Sequence, residues 1–223
     1  MDRLADDVWH LPLAPRNSVN AYVIGDVLID AGVKFMGGRA VAAARARGVT
    51  SHLLTHAHLD HAGGSARVVR ELGLPGVAVG AGDASDVARG ISALPAGTPR
   101  LVQRLTGHFD PVPVERELRE GDIVGPGFVV LDVPGHSRGH IAFWREADRV
   151  LIAGDVFFNL NVLTTMPGLR PPIARVTADP ALNRRSMRRI AELEPSVVGF
   201  GHGPVVRGAA PKLAAAVAAL PPD

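Results

Sequence analysis

Apolar positions along the chain fall in short runs broken by turn residues, with few long helical stripes. Val8–Leu13, Ala21–Ile24 and Val27–Ile29 read as strands, the last two joined across Gly25-Asp26 as a tight hairpin. Gly37–Arg47 is Ala-rich and ends at Gly48, which predicts a helix. Ser51–Leu54 predicts the strand after it, so a β-α-β unit is complete by Thr55. Helices over Gly64–Leu72 and Asp83–Arg89 flank a buried strand at Val77–Val79. Periodicity then fails from Gly90 to Pro113, and that stretch reads as a long loop or cap.

Val114–Leu118, Phe128–Val133, Ile141–Trp144 and Val150–Ile152 follow as strands between Gly-, Pro- or Asp-containing turns, the pattern of an antiparallel meander. Phe157–Asp179 is a second irregular stretch. A helix over Pro180–Glu194, a strand over Val197–Phe200 and a helix over Pro211–Leu220 close the chain. No repeat, linker or low-complexity segment divides it, so residues 1–223 are expected to form one α/β domain.

Composition narrows the chemistry. The 223 residues are 47% hydrophobic, enough to bury a core, and hold no Cys. That excludes disulfide scaffolds, thiolate zinc sites, iron–sulfur clusters and Cys nucleophiles, and leaves N and O ligands for any metal. Lys+Arg 24 against Asp+Glu 22 is near balance, which makes a nucleic-acid partner unlikely. The start, Met1-Asp2-Arg3-Leu4-Ala5-Asp6-Asp7, carries no targeting segment, and no apolar run is long enough to span a bilayer. A soluble, cytoplasmic protein acting on a small molecule is expected, and oligomeric state is not legible.

The concentrated signal is Thr55-His56-Ala57-His58-Leu59-Asp60-His61, which packs three of the nine His and an Asp together directly after a strand. His56 and His58, two apart, project to the same side of an extended segment, and Asp60 and His61 point away from that pair. One turn can thus offer two ligand sets to two metals. His136 in Pro134-Gly135-His136-Ser137-Arg138-Gly139-His140, Asp155 in Ala153-Gly154-Asp155 and His202 in Gly201-His202-Gly203-Pro204 each follow a predicted strand, with Gly neighbours that permit close backbone approach.

These motifs, in this order and over nearly the whole chain, resemble the metallo-β-lactamase fold superfamily of metal-dependent hydrolases. The resemblance implies a four-layer αββα sandwich of two mixed sheets flanked by helices. It implies one metal on His56, His58 and His136, a second on Asp60, His61 and His202, and Asp155 bridging them. Zinc is the first expectation, with manganese, iron or cobalt open. A hydroxide generated between two cations would cleave an ester, thioester or lactone. Asp60 is the candidate to orient it and move its proton to the leaving group. His140 is expected to hold a ligand or its loop by hydrogen bond from outside.

Departures from relatives matter as much. Without Cys, and with Asp155, the chain is unlike the β-lactamases of this superfamily. It ends too soon after Gly-His-Gly-Pro for the glutathione-binding region of glyoxalase II. Phe158 stands where acyl-homoserine lactonases place a Tyr. A mononuclear iron persulfide dioxygenase and a phosphodiesterase remain alternatives. His10, His52 and His108 lack metal-like company and read as surface or core residues. Arg184, Arg185, Arg188 and Arg189 form a basic helix ridge expected to face solvent, and Arg170 and Arg175 are candidates to clamp a substrate carboxylate.

Overall fold

A computed structural model describes residues 1–221. Seven strands form the first sheet in chain order: β1 (Asp2–Ala5), β2 (Val8–Pro12), β3 (Asn20–Ile24), β4 (Val27–Ile29), β5 (Ser51–Leu54), β6 (Val77–Gly80) and β7 (Val114–Leu118). It is mixed: β1 to β4 run antiparallel, with Tyr22 opposite Ile29 across the Gly25-Asp26 hairpin, and β4 to β7 run parallel. The parallel part needs crossovers, which α1 (Gly37–Ala46), α2 (Leu59–Ala62), α3 (Ser65–Leu72), α4 (Ala84–Arg89) and α5 (Arg100–Thr106) supply.

The second sheet takes β8 (Ile123–Val124), β9 (Phe128–Asp132), β10 (Ile141–Arg145), β11 (Val150–Ile152), β14 (Val197–Gly199) and β15 (Val206–Arg207), ordered β15-β14-β11-β10-β9-β8. A two-stranded ribbon of β12 (Phe158–Leu160) and β13 (Pro167–Arg170) stands apart. α6 (Pro180–Glu192) and α7 (Ala210–Ala218) complete the chain.

Alternation along β3 shows why the layers stack as they do. Tyr22 and Ile24 face the other sheet and share a core with Phe128, Phe143 and Ile152, whereas Val23 faces outward onto Ala40, Val41 and Val68 of α1 and α3. The second sheet turns Trp144 and Leu151 outward onto Met187 and Ile190 of α6 and Leu213 of α7. Both faces of both sheets are covered, which is the αββα sandwich, and both sheets are mixed, as expected.

Several local expectations are corrected. Val114–Leu118 does not open the antiparallel meander; it pairs parallel with β6 at the edge of the first sheet. Its Glu115, Arg116 and Glu117 are exposed, as suits an edge strand. The meander begins instead at β8, two residues too short to leave a pattern. The loop expected over 90–113 contains α5, and β1, β12, β13 and β15 lie in stretches read as irregular or unassigned. Helix α6 begins as expected, with Pro180 in its first turn and Asp179 Oδ1 accepting from Leu182 N–H at 2.9 Å.

Candidate metal centre

The chemistry-bearing motifs sit at strand ends that converge on one end of the sandwich. β5 runs into His56 and His58, β9 leads to His136, β11 to Asp155 and β14 to His202. The extended segment stops at His58, which begins α2. Asp60 and His61 therefore lie in a helical turn, and this turn, more than strand alternation, directs them away from the first pair.

Two further backbone features permit the convergence. Gly154 holds φ +54, and a Cβ on Gly201 would stand 2.0 Å from Asp155 Oδ1 and 2.5 Å from a ring carbon of His61. No side chain fits at Gly201 while Asp155 keeps its place.

All seven expected residues meet here. Ligand atoms of His56, His58 and His136 lie within 4.8 Å of one another, as do those of Asp60, His61 and His202, and those of His56, His61 and Asp155. Asp155 Oδ2 stands between the sets, 3.3 Å from His61 Nε2, 3.3 Å from His136 Nε2, 3.2 Å from His202 Nε2 and 3.9 Å from His56 Nε2.

Hydrogen bonds on the outer ring nitrogens decide what each imidazole offers inward. Thr55 Oγ1 donates to Asp30 Oδ2 and accepts from His56 Nδ1 at 3.0 Å. Asp30 Oδ2 also accepts from His61 Nδ1 at 2.8 Å. His136 Nδ1 donates to Thr177 Oγ1 at 3.1 Å, and His202 Nδ1 to the Ser18 carbonyl at 2.5 Å. In each of these four rings Nε2 is the inward nitrogen. His58 is reversed: its Nε2 donates to the Ala93 carbonyl at 3.2 Å, which leaves Nδ1 for the centre. Buried Nε2 of His56, His61 and His136, and Asp155 Oδ1, have no hydrogen-bond partner. Buried polar atoms are rarely left so, and a set of imidazole nitrogens and carboxylates aimed at common points fits divalent metal ions.

Electrostatics agree with that fit. Burial pushes His56 and His58 down, His58 to about 3, reinforced by neighbouring imidazoles. For His61 and His202 burial acts in the same direction but is outweighed by nearby carboxylates. Asp155 and Asp30 raise His61 well above its usual value, and Asp155 and Asp60 lift His202 to about 10. Without metal the centre therefore holds protons on these two rings.

His140 Nε2 accepts the backbone N–H of Asp155 at 3.0 Å, a contact on the turn that presents that carboxylate. Two further acids serve the centre and were not singled out in the sequence. Asp30, in a left-handed conformation at φ 59, ties His61 to the Thr55 backbone and hydroxyl. Asp83 accepts from Ala57 N–H at 2.9 Å, Gly139 N–H at 2.7 Å and Ser137 Oγ–H at 2.5 Å, so one buried carboxylate joins the loops of His56 and His136. Both follow an apolar strand within a few residues, as Asp155 does, and that placement is the signal that could have found them. Asp83→Ala leaves three donors without their acceptor and is expected to cost about 3 kcal/mol or more, read from urea unfolding of the metal-free protein.

The remaining expectations divide. His52 is a satisfied core residue, bonded to the Leu28 carbonyl and Ser65 Oγ and pushed down to about 4 by burial. His10 is buried against Tyr22 and bonded to Asn20, and His108 is exposed. The arginine ridge is not a simple solvated face. Arg189 reaches across to Glu120 and the Asp132 carbonyl, and Arg184 and Arg188 bond the carbonyls of Pro180 and Pro221. Neither Arg170 nor Arg175 lines the cavity beside the centre. Phe158, in the place of the lactonase tyrosine, packs on His202 with ring centroids 4.5 Å apart.

Fold and side-chain arrangement together define a metal-dependent hydrolase scaffold, and comparison with known proteins places the chain. The profile of the Metallo-beta-lactamase superfamily matches residues 14–202, and the chain belongs to that superfamily as a metallo-hydrolase. It is 28% identical over 200 residues to the probable metallo-hydrolase YybB of Bacillus subtilis, covering 87% of this chain and 85% of that protein. Partial matches include an acyl-coenzyme A thioesterase, MBLAC2, of Gallus gallus, 32% identical over 51% of this chain and 43% of the relative. A hydroxyacylglutathione hydrolase of Methylobacterium is 30% identical over 75% of this chain and 53% of the relative.

Among solved structures, TTHA1623 in a di-iron-bound form is 30% identical with a TM-score of 0.68, covering 91% of this chain and 96% of that one. The B3 metallo-beta-lactamase BLEG-1 is 25% identical with a TM-score of 0.69, covering 91% and 95%. Among the described residues no helix is long and apolar enough to cross a membrane.

Proposed function

We propose that the protein is a dinuclear metal-dependent hydrolase that cleaves an ester, thioester or lactone of a small molecule. The observation that carries this reading is the second complete donor set. Asp60, His61 and His202 stand together as His56, His58 and His136 do, with Asp155 between them. A single-iron dioxygenase would need only one such set, so the arrangement favours two metals. The thioester names of two partial relatives favour acyl-transfer chemistry over phosphodiester cleavage.

His56, His58 and His136 would hold one ion and Asp60, His61 and His202 the other, with Asp155 shared. Zinc suits this N and O set, and the di-iron neighbour keeps iron in view. When bound, two such ions supply Lewis acidity to the carbonyl and lower the pKa of water. The chain's own part is positional and acid–base. Thr55, Asp30, Thr177 and Ser18 hold the imidazoles in the tautomers the ions require. Asp60 borders the cavity at 37% side-chain exposure, where it can accept a proton from the attacking water and pass it to the leaving group. Phe158 and Leu59 line the same cavity and give the reacting face an apolar wall.

Elemental analysis of protein purified without added metal or chelator tests the reading. About two ions of zinc, manganese, iron or cobalt per chain, with turnover on an ester, thioester and lactone panel, is the expected result. One iron per chain with sulfur-oxidising activity would replace it. Metal loading must also displace the protons on His61 and His202, so release of about two protons per chain near pH 7 is expected. Both groups are raised in the metal-free fold, so protonation competes more strongly as pH falls and apparent metal affinity declines with it. Calorimetry in buffers of different ionisation enthalpy checks the count.

A further inference from the structure

We infer that the cavity beside the metal centre is an acyl pocket for a short, uncharged aliphatic group, an inference that rests on the acyl-hydrolase reading above. The cavity has a volume of about 230 Å³, with His58, Asp60, Asp155 and His202 of the centre on its border. That is smaller than the ~300–1,000 Å³ of pockets that take drug-sized ligands. Away from the centre its walls are Val33, Leu94, Val102, Phe158 and Val176, and no Lys or Arg lines it.

Each of its two hydroxyls already makes one hydrogen bond within the protein. Ser92 Oγ accepts the Leu59 N–H at 2.9 Å, and Thr106 Oγ1 donates to the Val102 carbonyl at 2.9 Å. A charged group on the acyl chain would lose its water and find no counter-ion among these walls, whereas a few methyl or methylene groups would gain by burial. The polar end of such a substrate belongs at the centre and the alkyl end against Val102 and Val176.

A rival arrangement is visible on the same helix. Leu101 and Leu105 of α5 neighbour Val102 and Thr106 and are 69% and 67% exposed, so a long acyl chain could run outward over them instead of ending in the cavity. The small volume favours the short chain, and an experiment separates the two.

The metal-loaded protein is assayed on N-acetylcysteamine thioesters carrying acetyl, butanoyl, isobutanoyl, decanoyl or succinyl groups. Butanoyl or isobutanoyl is expected to give the highest kcat/KM, with decanoyl more than ~10-fold and succinyl more than ~100-fold lower. Val102→Phe should move the optimum to acetyl, and Val102→Ala toward longer chains. Succinyl or decanoyl equal to butanoyl would overturn the assignment, the second in favour of the outer leucines.

Binding of the product acids gives a readout independent of turnover: butanoate, and not succinate, should shift the methyl resonances of Val102 and Val176. Metal-loaded protein that hydrolyses no ester, thioester or lactone would refute the hydrolase reading. Butanoate-specific shifts would then still support the apolar pocket, and their absence would overturn it as well.

Discussion

Asp60→Asn is expected to keep most of its bound metal and to lose about 10²- to 10⁴-fold in kcat. The carboxylate lies in the turn of α2, its Oδ2 3.2 Å from His202 Nε2. Burial alone would raise its pKa, but the hydrogen bond from His202 and the charge of His61 outweigh that and hold it below the usual carboxylate range. It is therefore ionised at neutral pH. An Asn has the same shape and keeps a carbonyl oxygen that can still face the centre, but it cannot accept and return a proton. Metal content by elemental analysis and kcat on the same preparation separate the two roles. An active variant with full metal would remove Asp60 from the chemistry. An inactive variant stripped of metal would make it a holding residue alone.

The seven candidate ligands that the fold brings together stand out along the chain because each motif is local: a strand of three to five residues, then His or Asp, with glycine close by. Such signals survive without knowledge of the fold. The elements missed are those whose stability comes from elsewhere. β8 and β15 are two residues long and exist because β9 and β14 offer edges to pair with. β1 is half polar, buries only Leu4 and is held as the outermost strand of its sheet. Helix α5 has no buried residue and no side-chain cap, so nothing in its periodicity distinguishes it from loop.

Asp30 and Asp83 went unread for a different reason. Their role is to receive hydrogen bonds from residues 25 to 56 positions away, and such partners emerge only when the sheets assemble. The assignment of Val114–Leu118 to the meander failed likewise, because an edge strand of one sheet and the first strand of the next look alike along the chain.

Asp155→Asn is expected to lower metal stoichiometry from two per chain to one or none, with affinity at the retained site falling more than ~100-fold. Among the described residues Asp155 is the carboxylate whose oxygen stands near imidazole nitrogens of both donor sets, and its own pKa is well below the usual range. Burial opposes that shift, and His202 and His61 outweigh it. Removing its charge would leave Asp60 as the one anionic donor, beside five neutral imidazoles, for the ions proposed to bind in this buried site.

The same substitution changes the metal-free protein in a way that identifies the cause. Without the carboxylate, His61 and His202 lose their principal counter-charge, so His202 should titrate well below its present value of about 10. Once neutral, the two rings present lone pairs that the Asn amide can meet, so the fold is expected to persist. Equilibrium dialysis with zinc reads the first effect, and NMR titration of the metal-free variant reads the second. A variant that binds two ions with unchanged affinity would remove Asp155 from between the metals. A lowered His202 pKa alongside lost metal would show one charge serving two states: it holds protons in the empty centre and cations in the filled one.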